Sequence, residues 1–260
     1  MSLDLTTDIK VTWCPGCPNS QILVAFRSAV EDMVGKGEFE LHNLVAGAGV
    51  GCHGKISDYL EVNTINGLHG RIIPVLTGVK LANPALTVVG FTGDGDSFSE
   101  GMNHITHAAR RNTDISLFLH NNQTFALTTG QATGTSPKGF KGGTTPEGSV
   151  DEPMNPALIM LAMGATFVAR TFAADIKHTK EIMQAAMRHK GFAFVDIIQP
   201  CITFFDTREY YKERTYWLDD KHKANRLDSA FKVARSVSDE KVPLGIFYQV
   251  EKPTFESNFN

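Results

Sequence analysis

Apolar residues recur at helical spacing through "NSQILVAFRSAVEDMVGKG", where Ile22, Leu23, Phe26, Val30, Met33 and Val34 share a face. The cap formers Asn19 and Ser20 open this run and glycines close it, so the pattern predicts the first helix there. "ELHNLVAG" and "LTVVGF" read differently. They are short, rich in apolar and β-branched residues and closed by glycine, as strands buried on both faces are. Between "LTVVGF" and "DISLFLHNN", the stretch "SEGMNHITHAARRN" puts Met102, Ile105 and Ala109 on one helical face. Strand, helix and strand in this order predict a right-handed βαβ unit with parallel strands. The alternation continues with a helix in "PALIMLAMGA", a strand in "TFVAR", a helix in "KHTKEIMQAAMRH" and a strand in "FAFVDII".

The expected fold class is therefore α/β, a mostly parallel sheet flanked by helices. No internal repeat or linker divides the chain, and one domain over residues 1–260 is expected. The segment from Thr128 to Val150, "TTGQATGTSPKGFKGGTTPEGSV", has no periodicity and is long for a structureless connection. A functional or partner-binding loop is expected there.

Composition narrows the function classes. The chain has 260 residues, 42% of them hydrophobic, a formal net charge of −3 and four cysteines. There is no basic footprint for nucleic acid. The start "MSLDLTTDIK" lacks the pattern of a secretory signal, and stretches such as "ALIMLAMGATFVA" fall short of a membrane span, which makes a reducing cytoplasm the expected compartment.

The unusual residues fall at strand ends. "GAGVGC", "GDGD", "NN" and "QPC" each follow an expected strand. The carboxyl ends of parallel strands form the ligand crevice of such a sheet, so Cys52, Asp94, Asn122 and Cys201 should converge. In "FTGDGDSFSEGMN", Asp94 lies between two glycines where a strand turns into a helix. Its carboxylate can hold a hard cation, Gly95 lets the backbone approach a phosphate, and the next helix offers free N–H groups. Asn122, at the end of the following strand, is placed to give the same cation an amide oxygen.

The pair Cys14 and Cys17 in "VTWCPGCPNS" admits a redox dithiol, half of a zinc site or part of an iron–sulfur ligand set. "GAGVGC" resembles a dinucleotide fingerprint, but Cys52 stands where a third glycine or alanine belongs and "NGLHGRI" offers no ribose-binding acid. An NAD-dependent dehydrogenase is thus the weaker enzyme reading, and a metal-stabilised scaffold subunit is the reading from another class. His104 and His107 are explained by a helix surface, Arg110 and Arg111 by solvent or a partner, and "YYKERTYWLDDKH" by a docking surface or helix.

"GDGD" followed by "HNN" after one helix and one strand matches the thiamine-diphosphate motif. With "WCPGC", "GVGCHGK", "HGRIIPVLTGVKLANP", "AARRN", "TTGQ", "IIQPC" and the closing "PLGIFY", the chain resembles the β subunit of the 2-oxoacid:ferredoxin oxidoreductases over nearly its full length. The resemblance implies a thiamine-diphosphate-binding fold, specifically its diphosphate-binding module, with an N-terminal Cys-x-x-Cys segment and a C-terminal docking tail. It implies Asp94, Asn122 and the Thr124 carbonyl as Mg²⁺ ligands. Gly51, Cys52, His53, His69, Gly95, Asp96, Ala126 and Leu127 match diphosphate-binding positions, Lys55 a lysine that holds the 2-oxoacid carboxylate, and His69 a cofactor contact at the catalytic centre. Cys14, Cys17, Cys52 and Cys201 match the four ligands of one [4Fe–4S] cluster.

The implied activity is oxidative decarboxylation of a 2-oxoacid with coenzyme A to acyl-CoA and carbon dioxide. Electrons would leave singly through the cluster to ferredoxin, and the reaction would be reversible. 2-Oxoglutarate is favoured over pyruvate and branched-chain acids. An α subunit would supply the pyrimidine-binding module in an (αβ)₂ assembly. The chain departs from the family at Phe125, Ala126 and Leu127, where tyrosine, glycine and methionine are common.

Overall fold

The computed structural model describes residues 3–238 and 240–259; Met1, Ser2, Asp239 and Asn260 lie outside the described residues. The chain runs through α1 (Asn19–Gly35), β1 (Leu44–Ala48), β2 (Asn63–Asn66), α2 (Ile72–Ala82), β3 (Thr87–Gly93), α3 (Met102–Arg111), β4 (Ser116–Asn121) and α4 (Pro156–Ala162). It continues through β5 (Phe167–Phe172), α5 (Ile176–Arg188), β6 (Ala193–Ile198), α6 (Arg208–Arg214), β7 (Thr215–Trp217), α7 (Leu227–Arg235) and β8 (Val242–Gln249).

The strands form one eight-stranded sheet in the order β2-β1-β3-β4-β6-β5-β8-β7. Neighbours from β2 to β5 are parallel, β8 runs antiparallel to β5, and β7 is parallel to β8. The central strands are apolar at successive positions because both faces are covered. Val89, Phe118, Ala169 and Val195 pack on the α1 and α5 side, while their neighbours Val88, Leu117, Val168 and Phe194 pack on the side of α2, α3, α4 and α7.

The expected elements are present, with shifts that have local causes. Leu41–Asn43 forms a 3₁₀ turn before β1. The helix expected from Ser99 begins at Met102, because Gly95–Glu100 winds into a π-helical turn. "YYKERTYW" splits into the end of α6 and the short β7. β2 escapes the pattern because "NTIN" is polar and largely exposed. α2 escapes it because Pro74 and β-branched residues obscure its periodicity. The C-terminal segment folds back on the body: Phe255 N–H donates to the Asn112 carbonyl at 3.3 Å, and both Glu256 carboxylate oxygens accept from Asp114 N–H at 3.3 and 3.2 Å. Among the described residues no helix is long and apolar enough to cross a membrane.

Candidate active site

The crevice arises from topology. β1 and β3 are neighbours, but the chain leaves them on opposite faces. After β1, the 3₁₀ stretch Cys52–Tyr59 packs Ile56 and Tyr59 on the α1 side; after β3, the π-helical turn packs Phe98 on the other. The gap between them is a cleft with about 420 Å³ of empty space, lined among others by Gly51, Cys52, His53, His69, Asp94, Gly95, Asp96, Asn122, Thr124, Ala126 and Leu127. A parallel sheet binds ligands where adjacent strand connections part in this way.

Asp94 is 1% exposed, and its oxygens are nearly saturated. Oδ2 accepts from the hydroxyls of Thr133 and Thr135 at 2.5 and 2.7 Å, and Oδ1 from Asn122 N–H at 3.3 Å. The Asn122 side-chain oxygen accepts from Thr124 N–H at 3.1 Å, and the Thr124 carbonyl accepts from Ala126 N–H at 2.9 Å. Burial pushes the Asp94 carboxyl up despite these bonds. A buried carboxylate beside two hard oxygens that keep free lone pairs fits Mg²⁺.

The π-helical turn aims Asp96 into the sheet. Its Oδ1 accepts from Gly70 N–H at 2.7 Å and Val50 N–H at 3.2 Å, and Oδ2 accepts from the Thr92 hydroxyl at 2.7 Å. His53 Nε2 stands 3.6 Å from Oδ2 and His69 Nδ1 3.5 Å from Oδ1. Burial acts to raise the Asp96 carboxyl, but His53, Gly70 N–H and the Thr92 hydroxyl overcome it and hold the group below the ordinary carboxylate range. Glycine is required around this cluster: a Cβ on Gly49 would lie 1.9 Å from Asp96 Oδ2, and one on Gly95 2.2 Å from the Phe125 ring. His53 Nε2 and His69 Nδ1 are buried, face the Asp96 carboxylate just beyond hydrogen-bond distance and have no other partner among the described residues.

A second pocket, with about 790 Å³ of empty space, gathers all four cysteines with Lys55, Trp13, Gln199, Thr203 and Phe204. Cys14 and Cys17 sit on a tight turn in which Cys17 N–H donates to the Cys14 carbonyl at 3.0 Å and Gly16 takes φ +80°, just before α1. Cys52 opens the 3₁₀ stretch, and its carbonyl accepts from the Trp13 indole at 2.6 Å. Cys201 follows β6, brought beside β4 by Gln199 N–H donating to the Asn121 carbonyl at 2.9 Å. Burial, with the nearby Cys17 and Cys201 thiols, pushes the Cys52 thiol up to about 11, while the Lys55 ammonium pulls it down. Burial likewise raises the Cys17 thiol, with Cys14 and Cys201 adding to it. Among the described residues no three His, Cys, Asp or Glu side chains close around a single ion; the four cysteines line one pocket.

Residues 49–197 match the family model "Thiamine pyrophosphate enzyme, C-terminal TPP binding domain", and residues 201–260 match the model for the C-terminal part of the pyruvate ferredoxin oxidoreductase β chain. The sequence is 39% identical to a 2-oxoacid:ferredoxin oxidoreductase subunit beta of Saccharolobus solfataricus, covering 92% of this chain and 82% of that one. It belongs to the β subunits of the 2-oxoacid:ferredoxin oxidoreductases. A 2-oxoglutarate synthase subunit KorB of Archaeoglobus fulgidus is 40% identical, with 76% of this chain and 72% of that one covered. The structure of a 2-oxoglutarate:ferredoxin oxidoreductase from Magnetococcus marinus, with 2-oxoglutarate, coenzyme A and succinyl-CoA bound, superposes with a TM-score of 0.94 at 35% identity, covering 98% of this chain and 87% of that one.

In this β subunit the residues singled out from the sequence divide between the two pockets, and Cys52, Asn122, Ala126 and Leu127 line both. Lys55 lies in the cysteine pocket, its ammonium 3.3 Å from the Thr12 carbonyl. His104 and His107 lie on α3, outside both pockets, and Arg111 stacks over the Phe255 ring at 5.3 Å. Sequence reasoning missed Thr133 and Thr135, which tie the long Thr128–Val150 loop to Asp94. It also missed His120 and the pairing of its Nδ1 with Oδ1 of Asn19, read only as a helix cap, at 2.7 Å in the interior beside the cysteine pocket. The wealth of hydroxyls in that loop was the only available signal for the first pair; for the second there was none.

Proposed function

We propose that this β subunit provides the diphosphate-binding and electron-transferring half of an enzyme that converts a 2-oxoacid and coenzyme A to acyl-CoA and carbon dioxide, with ferredoxin as one-electron acceptor. The observation that carries the reading is the wall shared by the Asp94 cleft and the cysteine pocket, since a carbon-based two-electron oxidation drained one electron at a time needs its carrier beside the reacting centre. Thiamine diphosphate, when bound, supplies a nucleophilic carbon and a ring that stores electrons.

This chain's residues do the rest. Asp94, the Asn122 amide oxygen and the Thr124 carbonyl hold Mg²⁺. Gly95, Asp96, His69, Ala126, Leu127 and the segment Gly51, Cys52, His53 cradle the diphosphate, with Asp96 orienting both imidazoles. Lys55, in the cysteine pocket three residues after the shared-wall Cys52, holds the substrate carboxylate. Cys14, Cys17, Cys52 and Cys201, all free thiols lining one pocket, hold a [4Fe–4S] cluster, which takes four thiolate ligands. Free thiols are also what a reducing cytoplasm maintains.

2-Oxoglutarate is the favoured substrate, supported by relatives named for 2-oxoglutarate and by the ligands in the Magnetococcus marinus structure; the pyruvate-named family model marks the alternative. Residues 1–260 act as one unit, and an α subunit supplies the rest of the site, the module that clamps the aminopyrimidine, in an (αβ)₂ assembly. With a strong reductant the site also runs towards carboxylation.

Purified anaerobically, with iron, sulfide and cofactor verified, the β subunit alone is expected to show no 2-oxoacid-dependent dye reduction. Adding the α subunit should restore it, fastest with 2-oxoglutarate in a panel of 2-oxoacids. Sustained turnover by the isolated chain would refute the shared site. Zinc in place of iron and sulfide would return the cysteines to a scaffold role.

A further inference from the structure

Three of the four cysteine sulfurs receive a hydrogen bond from one short stretch after β6, and Cys17 is also bonded by Asn19 at the start of α1. The Gln199 amide donates to Cys17 Sγ at 3.8 Å, the Thr203 hydroxyl to Cys14 Sγ at 3.4 Å, and Phe204 N–H to Cys201 Sγ at 3.4 Å. Among the described residues no such donor reaches Cys52, the cysteine on the wall shared with the Asp94 cleft. We infer that the segment Gln199–Phe204 sets the reduction potential of the cluster, with the buried Gln199 amide as the donor that tunes it at Cys17. This rests on the cluster reading above.

The Gln199 side chain is 1% exposed, and its orientation is fixed by what surrounds it. Nε2 lies 3.2 Å from the Pro200 carbonyl as well as facing Cys17, so a reversed amide would aim its oxygen at two acceptors. In the orientation present, Oε1 is buried without a partner. An orphaned buried acceptor is costly, and a residue serving only to fill space would not carry it, since leucine fills the same volume without it. What the amide gains is a dipole whose positive end faces a thiolate in a low-dielectric setting. The reduced cluster bears one more negative charge than the oxidised one, so each such donor favours reduction and raises the potential.

The test is an EPR-monitored redox titration of the anaerobically purified αβ enzyme, with dithionite giving one electron to each cluster as it passes from the 2+ to the 1+ state. Gln199→Leu should make reduction less favourable by up to roughly tenfold, about 59 mV more negative for a one-electron couple, with iron content and thiamine diphosphate affinity unchanged. Gln199→Glu, similar in shape but with a carboxylate facing sulfur, should shift further in the same direction. Thr203→Val should shift least, because its hydroxyl is exposed to water. A fully loaded Gln199→Leu enzyme with the parent potential overturns the inference. Should that variant load less iron, unchanged potentials in both Gln199→Glu and Thr203→Val overturn it equally. A parent enzyme without iron and sulfide would instead defeat the cluster reading itself.

Discussion

The cleft and the cysteine pocket share a wall yet are built in opposite ways. The cleft is formed by the ends of β1, β3 and β4, adjacent strands of one sheet, and backbone N–H groups and hydroxyls hold its carboxylates from several directions. It leaves no room for a methyl group at Gly49 or Gly95. The cysteine pocket is assembled from the turn before α1, the 3₁₀ stretch after β1 and the connection after β6, and Cys14 is exposed. A cleft fixed by backbone exists before its ligand arrives. A pocket made of separate segments depends on its occupant to tie them together.

The sharpest way to break this contrast is to remove one thiol. Cys201→Ser replaces a soft, ionisable ligand by a harder one that deprotonates far less readily. The expected outcome is loss of most iron and sulfide and of the broad visible absorption, with calorimetric affinity for thiamine diphosphate and Mg²⁺ changed by less than about threefold. Joint loss of both would show that the two regions form one cooperative unit. The reciprocal variant, Asp94→Ala, removes the one carboxylate among the proposed Mg²⁺ ligands and frees the Thr133 and Thr135 hydroxyls. Charge-assisted contacts are worth about 1.5–3 kcal/mol, so cofactor affinity should fall by roughly one to two decades while iron content stays. Unchanged calorimetric affinity would remove Asp94 from the metal site.

The same contrast explains what the sequence made legible. Strand ends are readable because buried parallel strands announce themselves as apolar runs closed by glycine; "LTVVGF" and "SLFLHN" placed Asp94 and Asn122 on one edge. Strand ends likewise brought Cys52 and Cys201 to that edge, but joining them with Cys14 and Cys17 in one ligand set came from family resemblance, because the Cys14–Cys17 spacing alone fits zinc or a dithiol as well. The inward turn of Thr133 and Thr135 was hidden, since a loop full of threonine and glycine does not say which hydroxyl finds a carboxylate. The antiparallel direction of β8 was hidden too: an apolar strand reads the same both ways, and its register with β5 is set by tertiary packing.

Glycine substitutions sharpen the contrast at smaller amplitude. At Gly49 an alanine methyl has no space, so Gly49→Ala must displace Asp96 or the strand end and should cost about 1–3 kcal/mol. In a chain of this size that lowers Tm by about 2–4 °C per kcal/mol. At Gly16, in the cysteine turn, nothing lies within 4 Å of a built Cβ, and the constraint is the positive φ of +80°. Gly16→Ala should therefore cost only about 1–2 kcal/mol of backbone strain, and Gly16→Asn, which tolerates that conformation, less. Equal recovery by Gly49→Asn would contradict a cleft limited by space.

The smallest expected effect separates both regions from the frame they share. His189, at the end of α5, is buried, its Nε2 2.7 Å from the Thr166 hydroxyl and its ring 5.5 Å from Phe167. Burial lowers its pKa below the ordinary imidazole value of 6.5, against opposing pulls from the Asp114 and Glu251 carboxylates. The folded chain then binds fewer protons at this site than the unfolded chain once pH drops below about 6.5, so stability falls with falling pH across that window and levels off below the folded pKa. One group contributes at most about 1.4 kcal/mol per pH unit. Urea unfolding at pH 7.5 and 5.5 should show a loss that His189→Gln, which keeps a polar partner for Thr166 but does not titrate, reduces. Iron content and cofactor affinity should be equal in the two proteins at pH 7.5, because this histidine serves the sheet that carries both pockets and touches neither. An identical pH dependence in parent and variant would mean that the acid sensitivity originates in the pockets and not in the frame.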